Sequence, residues 1–408
     1  MVDIVTLIGT RPQFIKAAIL NRALGQRTNG AAFSQYLVDT GQHYDYLLSK
    51  VFQEELGNVT VDRVLTSGSG SHGTQMARMI GQLEAVLLEQ RPRAAFVYGD
   101  TNSTLAAAIA AVKLDIPVIH LEAGIRLPYR RRVPEEWNRV LSDHAAHLCF
   151  AITERGLANL YDEGMGPGRA VLTGDVHYDL FLLTREKASA KSAYPACLGL
   201  GPGEYHLATI HRAENTSSPE RVKEIFAALA KSEQPVVMPL HPRTKQTLAS
   251  AGVLSGLADS QLRIVDPLGY YDFQALLLGC NRVISDSGGV MREAYFAHKP
   301  CIVPRPSTWF PEIVESGWAL ETGEDTGLLV SAINGFRPPA HHEDFFGDGH
   351  AAERIVSEIS GFLRHGRSEP WNHATVLPHP SSAGLDEPWE TECWKYPEQV
   401  VETKFSTR

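Results

Sequence analysis

The sequence predicts an α/β protein built as two doubly wound, Rossmann-like domains that face each other across a cleft. Short apolar runs rich in branched and aromatic residues recur along the chain with helical stretches between them, the alternation that makes a parallel sheet covered on both faces. The alternation breaks down once, around residues 175–203, and then resumes. This divides the 408-residue chain into a first domain over 1–180, a second over 181–365 and a tail over 366–408.

In the first set, DIVTLI reads as a strand and leads into a helix from Pro12 to about Leu24, with the proline suited to a first turn. SQYLVD is the next strand, followed by a helix around Leu47 to Leu56. AAFVY, PVIHL and HLCFA are further strands, the first two separated by the Ala-rich helix STLAAAIAAVKL. The second set reads YHLATI, a helix over Pro219 to Lys231, PVVMPL, QLRIVD, a helix around Asp272 to Gly279, RVISD, a helix over Val290 to Ala297, and PCIVP. An amphipathic pattern over 351–363 is expected to close the second domain. The tail carries Trp371, Trp389 and Trp394 among prolines without periodicity, and reads as a segment docked on the body or a partner, or as disorder.

Composition narrows the function. The chain is 43% hydrophobic and 21% charged, and no apolar run approaches the ~20 residues of a membrane span. The start, MVDIVTLIGTRP, has neither a basic n-region nor a small-residue cleavage site, so a cytoplasmic protein is expected, without a membrane partner. A net charge of -9 argues against nucleic-acid binding. Five cysteines without a CxxC pair fit neither a zinc site nor a disulfide framework.

The segment over residues 99–139 carries the chemistry. Asp100 and Glu122 follow predicted parallel strands, whose carboxyl ends share the edge where open α/β sheets bind ligands, and Glu135 and Arg139 follow shortly after. One acidic residue after a strand most often caps a helix, and Asp100 before Thr-Asn-Ser-Thr suits that. Three on one edge favour proton transfer. In GTRPQFIKAA, Arg11 and Lys16 sit where a helix start attracts an anion. In SDSGGVMREA, Ser287, Gly288 and Gly289 open a helix whose first N–H groups would face a phosphate, with Glu293 placed for a ribose diol. IHRAEN and PLHPRTK bring His211 with Arg212, and His241 with Arg243, to adjacent strand ends as an anion site. GSGSHG, residues 68–73, matches a dinucleotide fingerprint but lacks an acidic strand end about 20 residues on, and reads as a loop near the cleft.

Together these stretches, with DTGQHYD, HLEAGIR, PEEWNR, TGDVHYD, DPLGYYD and VPRPSTWFPE, resemble the non-hydrolysing UDP-N-acetylglucosamine 2-epimerases over roughly residues 3–363. The resemblance implies the GT-B arrangement of two Rossmann-like domains, a homodimer, a UDP-sugar substrate, and neither metal nor nicotinamide cofactor. It implies reversible inversion at C2 by elimination of UDP to a 2-acetamidoglucal and re-addition. Asp100, Glu122 and Glu135 match the family's acid and base carboxylates, and His211 its histidine by the diphosphate. Arg11, Lys16, Arg139, Ser287, Gly288, Gly289, Glu293 and Arg305 match its substrate and nucleotide contacts, and His241 and Tyr271 are expected to bind substrate beside them. Two other readings stay open: a hydrolysing relative that releases N-acetylmannosamine and UDP, and a GT-B glycosyltransferase.

Overall fold

The computed structural model describes residues 2–25, 33–42, 60–68, 70–127, 133–240, 245–246, 248–249, 252–253 and 260–365. The helix expected around Leu47 to Leu56 and the tail with its tryptophans lie outside the described residues. The first half runs β1 (Ile4–Ile8), α1 (Arg11–Gly25), β2 (Gln35–Asp39), β3 (Arg63–Val64), α2 (His72–Gln90), β4 (Ala94–Tyr98), α3 (Asn102–Lys113), β5 (Val118–Ala123), α4 (Pro134–Ala145), β6 (Leu148–Ala151), α5 (Glu154–Asp162) and β7 (Ala170–Leu172). Helices α6 (Val176–Lys191) and α7 (Tyr194–Cys197) follow. The second half runs β8 (His206–Thr209), α8 (Ala213–Thr216), α9 (Pro219–Ala230), β9 (Val236–Pro239), β10 (Leu262–Val265), α10 (Tyr270–Gly279), β11 (Arg282–Ser285), α11 (Gly288–Phe296), β12 (Cys301–Val303), α12 (Pro311–Glu315), β13 (Ala319–Glu321), α13 (Thr326–Gly335) and α14 (Ala351–His365).

Two wholly parallel sheets result, ordered β3-β2-β1-β4-β5-β6-β7 and β10-β9-β8-β11-β12-β13. Both faces of each are buried, which is why the strands read as continuous apolar runs. Along β4, Phe96 and Tyr98 join one core with Ile8 and Ile119, while Ala95 and Val97 join the core on the opposite face with Val5 and Val118. Leu207 and Val283 of the second sheet face one core, and Ala208 and Ile284 the other.

Two expectations are corrected. Residues 176–191, read as part of a breakdown in the pattern, form one helix, capped by Asp175 through its carboxylate and the His177 N–H at 2.9 Å. Its Val176 and Leu180 enter the core of the first sheet and Phe181 that of the second, so it shows no single apolar stripe to read. The helix runs through the expected 180/181 division. Helix α14, expected to close the second half, instead packs its Ile355, Val356 and Ile359 into the core of the first sheet with Ile15 and Ile19 of α1. Amphipathicity shows that a helix must be covered but not by what.

The chain therefore passes between the sheets twice, at residues 173–175 and along 336–350. The passages touch: the Asp175 N–H donates to the Phe346 carbonyl at 2.9 Å, and a Cβ added to Gly347 would lie 3.2 Å from the Gly174 Cα. Both glycines have left-handed φ, +82° and +91°.

Candidate functional site

In each sheet the order of strands reverses at its first strand. β1 lies between β2 and β4, and β8 between β9 and β11, so the loops after β1, β4, β8 and β11 diverge and leave a crevice at each carboxyl edge. Those loops carry most of the candidate residues. In the first sheet Gln13 ties two of them together, accepting from the Gly9 and Thr10 N–H groups at 2.8 and 3.1 Å and donating to the Tyr98 carbonyl at 2.8 Å. Gly9 has no room for a side chain, since a Cβ would stand 2.1 Å from Thr40 Oγ1.

Glu122 lies inside β5, where the register to β6 shifts and its own φ is +64°, a strained conformation for a residue with a side chain. Its carboxylate is paired on both oxygens with residues that line the crevice. Oε2 accepts from Lys16 Nζ, and Oε1 from Arg292 Nη1 at 2.8 Å. The same Nη1 lies 2.5 Å from Asp175 Oδ2. All four residues are more than nine-tenths buried. Burial alone would raise the Glu122 pKa, but the charges of Lys16 and Arg292 outweigh it and hold the group well below the usual carboxylate range.

Asp100 is released from capping, because Thr101 next to it is the N-cap of α3, its hydroxyl accepting from the Thr104 N–H at 3.3 Å. Its carboxylate pairs instead with Arg139 Nη2, and its side chain keeps 27% exposure. Arg139 also stacks on the Trp309 ring, 4.8 Å from guanidinium carbon to centroid. Pro134 starts α4, which places Glu135 and Glu136 in its first turn. Glu136 is buried and accepts from the Leu127 N–H at 3.1 Å. Glu135 is 40% exposed and faces Arg212 of the second half at 4.0 Å.

On the second sheet, Asp286 at the end of β11 organises the loop after β8. Its carboxylate accepts from the backbone N–H groups of His211 and Arg212 at 3.1 and 2.9 Å and from Asn215 Nδ2 at 3.0 Å. Ser287 caps α11, accepting from the Val290 N–H at 3.4 Å. Gly288 is covered, since a Cβ there would meet Trp309 Cδ1 at 3.0 Å, whereas at Gly289 it would meet only Ser287 Oγ at 3.8 Å. Glu293 Oε1 lies 2.7 Å from His177 Nε2. Arg305, buried, reaches Glu214 at 3.2 Å and the Asp286 carbonyl at 3.5 Å.

A cavity of about 710 Å³ joins the two edges, with Lys16, His211, Ser287, Gly289, Arg292 and Glu293 in its wall. Tyr270 lines it, whereas Tyr271, the expected contact, is half-buried against the first core. Arg11 opens α1, and His241 and Arg243 lie outside the described residues. A second cavity of about 700 Å³, with Thr153, Gly174, Glu312 and Arg354 in its wall, lies at the passages between the sheets and contains none of the expected site residues.

Sequence reasoning missed Gln13, Asp175, His177 and Arg292, and behind the site His120. The ring of His120 is fully buried, with Nδ1 2.6 Å from Asp143 Oδ1 and Nε2 2.7 Å from the Gly99 carbonyl, which ties the loop after β4 to α4. Asp175 had a legible signal as a cap before a helix, and Arg292 stands within SDSGGVMREA. Among the described residues no group of three or more His, Cys, Asp or Glu could hold a metal ion, and no helix is long and apolar enough to cross a membrane.

The chain is similar in sequence and in fold to known proteins. The family model described as UDP-N-acetylglucosamine 2-epimerase matches residues 26–360. A UDP-N-acetylglucosamine 2-epimerase homolog of Methanococcus maripaludis is 38% identical over 360 residues, 87% of this chain and 99% of that protein. The UDP-2,3-diacetamido-2,3-dideoxy-D-glucuronate 2-epimerase of Pseudomonas aeruginosa is 37% identical over 364 residues, 88% of this chain and 99% of its own. The crystal structure of the Methanocaldococcus jannaschii UDP-GlcNAc 2-epimerase in complex with UDP-GlcNAc and UDP superposes with a TM-score of 0.80 at 35% identity, covering 89% of this chain and 100% of that one.

Proposed function

The chain belongs to the UDP-N-acetylglucosamine 2-epimerase family and has its GT-B architecture, and from that premise we propose how its cleft inverts C2 of a UDP-linked N-acetylhexosamine. The observation that carries the reading is Lys16, which lines the cavity together with the start of α11 and His211 and is itself paired with Glu122, while Asp100 stands at the same sheet edge. The second sheet holds UDP: the Ser287 to Gly289 turn faces the diphosphate, His211 and Arg305 stand beside it, and Glu293 accepts from the ribose. The first sheet supplies the carboxylates. One of Asp100, Glu122 and Glu135 takes the C2 proton while the C1–O bond breaks and its electron pair leaves with UDP. A 2-acetamidoglucal remains. UDP then returns to C1 and a proton to the other face of C2, so no water is consumed and the UDP-sugar is the product.

Positive charge gathered at the diphosphate lowers the barrier where negative charge develops. Lys16 is suited to this, because leaving Glu122 for the phosphate trades one anion for another. The enzyme then needs neither metal nor nicotinamide. The protein works as a homodimer, a reading supported by the apolar surface that Trp137 and Leu141, 50% and 47% exposed, present one turn apart on α4. Incubation with UDP-N-acetylglucosamine in heavy water, followed by NMR, tests the function. A UDP-linked manno epimer with deuterium at C2 is expected; free N-acetylmannosamine would make the protein a hydrolysing enzyme, and no epimer at all would overturn the reading.

A further inference from the structure

We propose that Arg292 is a positioning residue for the epimerisation, anchored by Asp175 at the passage between the sheets and reaching across the cleft to fix the carboxylate of Glu122. The inference rests on the C2 chemistry proposed above. One guanidinium nitrogen, Nη1, serves both carboxylates, at 2.5 Å from Asp175 and 2.8 Å from Glu122. Asp175, Arg292 and Glu122 belong to three separate segments, the start of α6, the middle of α11 and the strained position in β5. The guanidinium is further held over the Phe310 ring at 4.8 Å, so it has little freedom to relax elsewhere.

Asp175 is fully buried and is itself fixed at the passage. Its backbone N–H is bonded to Phe346 of the returning strand of chain, and its other carboxylate oxygen caps α6. It stands next to Gly174, whose left-handed backbone lies against Gly347. Any rotation of the halves about these glycines moves Asp175, and with it the guanidinium that meets Glu122. The carboxylate thus meets a cation from the other half, Arg292, only in the arrangement of halves seen here. Closure over a substrate and orientation of a catalytic group become one event.

Asp175 gives the cleanest test, because it does not line the cavity where UDP is placed. Asp175→Asn, Arg292→Met, the double variant and Arg292→Lys are compared with the parent by C2 deuterium incorporation, steady-state kinetics and UDP calorimetry. Asp175→Asn is expected to lower kcat about tenfold with KM and UDP affinity within about twofold, and Arg292→Met to lower kcat further. The double variant should be no worse than Arg292→Met, since both changes break one bridge. Arg292→Lys should recover part of the loss. Should Arg292→Met fail to fold, Asp175→Asn and Arg292→Lys decide alone. A folded Asp175→Asn enzyme with parental kcat, or losses that multiply in the double variant, would overturn the inference while leaving the function standing. A parent that incorporates no deuterium removes the function and the inference together.

Discussion

His177 and Glu293 meet in the wall of the cavity, Nε2 to Oε1 at 2.7 Å, and with the Tyr270 hydroxyl beside the same carboxylate they hold the glutamate in place. A preoriented acceptor of this kind gives a ribose diol a fixed partner without reorganisation on binding. Glu293→Ala should weaken UDP binding by about one to two orders of magnitude, since a hydrogen bond to a charged acceptor is worth ~1.5 to 3 kcal/mol. Calorimetry on the folded variant checks this, and unchanged affinity would remove Glu293 from the nucleotide site.

The three carboxylates should separate from Glu293 in kind. Asp100→Asn, Glu122→Gln and Glu135→Gln are each expected to lower turnover by roughly two to four orders of magnitude with far smaller changes in UDP affinity. Deuterium wash-in at C2, measured beside epimer formation, reports the proton-transfer step. A fully active Glu135→Gln enzyme would place that exposed residue outside the catalytic set.

In the proposed mechanism side chains supply the positive charge that the departing diphosphate needs, so dialysis against a chelator should leave the rate within about twofold of the untreated enzyme. Activity that vanishes and returns only with a divalent ion would show that Lys16 and the arginines are insufficient.

His206 predicts an acid-side loss of stability unrelated to catalysis. It opens β8 fully buried, its Nδ1 has no hydrogen-bond partner among the described residues, and burial, aided by neighbouring Arg282, lowers its pKa to about 4. The unfolded chain takes up this proton as pH falls below about 6.5 and the folded chain does not until about 4, so stability drops across that window by at most about 3 kcal/mol. His206→Gln should flatten the dependence of denaturation midpoint on pH between 6.5 and 4, whatever it costs at neutral pH. An unaltered slope would show that His206 is not the titrating group.

Much of this was legible from residue order. AAFVY and PVIHL could only be buried strands, and the acidic residues after or near their ends had to share an edge once the strands were parallel. What could not be read were relations between distant segments. Asp175 and Arg292 are 117 residues apart, and nothing local marks them as a pair. Helix α6 hides its periodicity because it is packed by both cores. Glu122 was placed after a strand, whereas it is inside one, at a bulge that no composition signals. Glu135 and Glu136 are indistinguishable in PEEWNR, and only the turn of α4 assigns one to solvent and the other to the interior.

The return of α14 to the first sheet bears on the order in which the protein is made. Ala351, Ile355, Val356, Ile359 and Leu363 complete a core begun by Ile4 and Ile8, so the half synthesised first cannot finish folding until residue 365 has left the ribosome. Until then the apolar sides of α1 and α6 remain uncovered on a nascent chain, a surface that a chaperone could recognise. For the same reason a fragment ending before residue 351 would lose part of its opening half, and the two sheets cannot be prepared as independent pieces by a single cut.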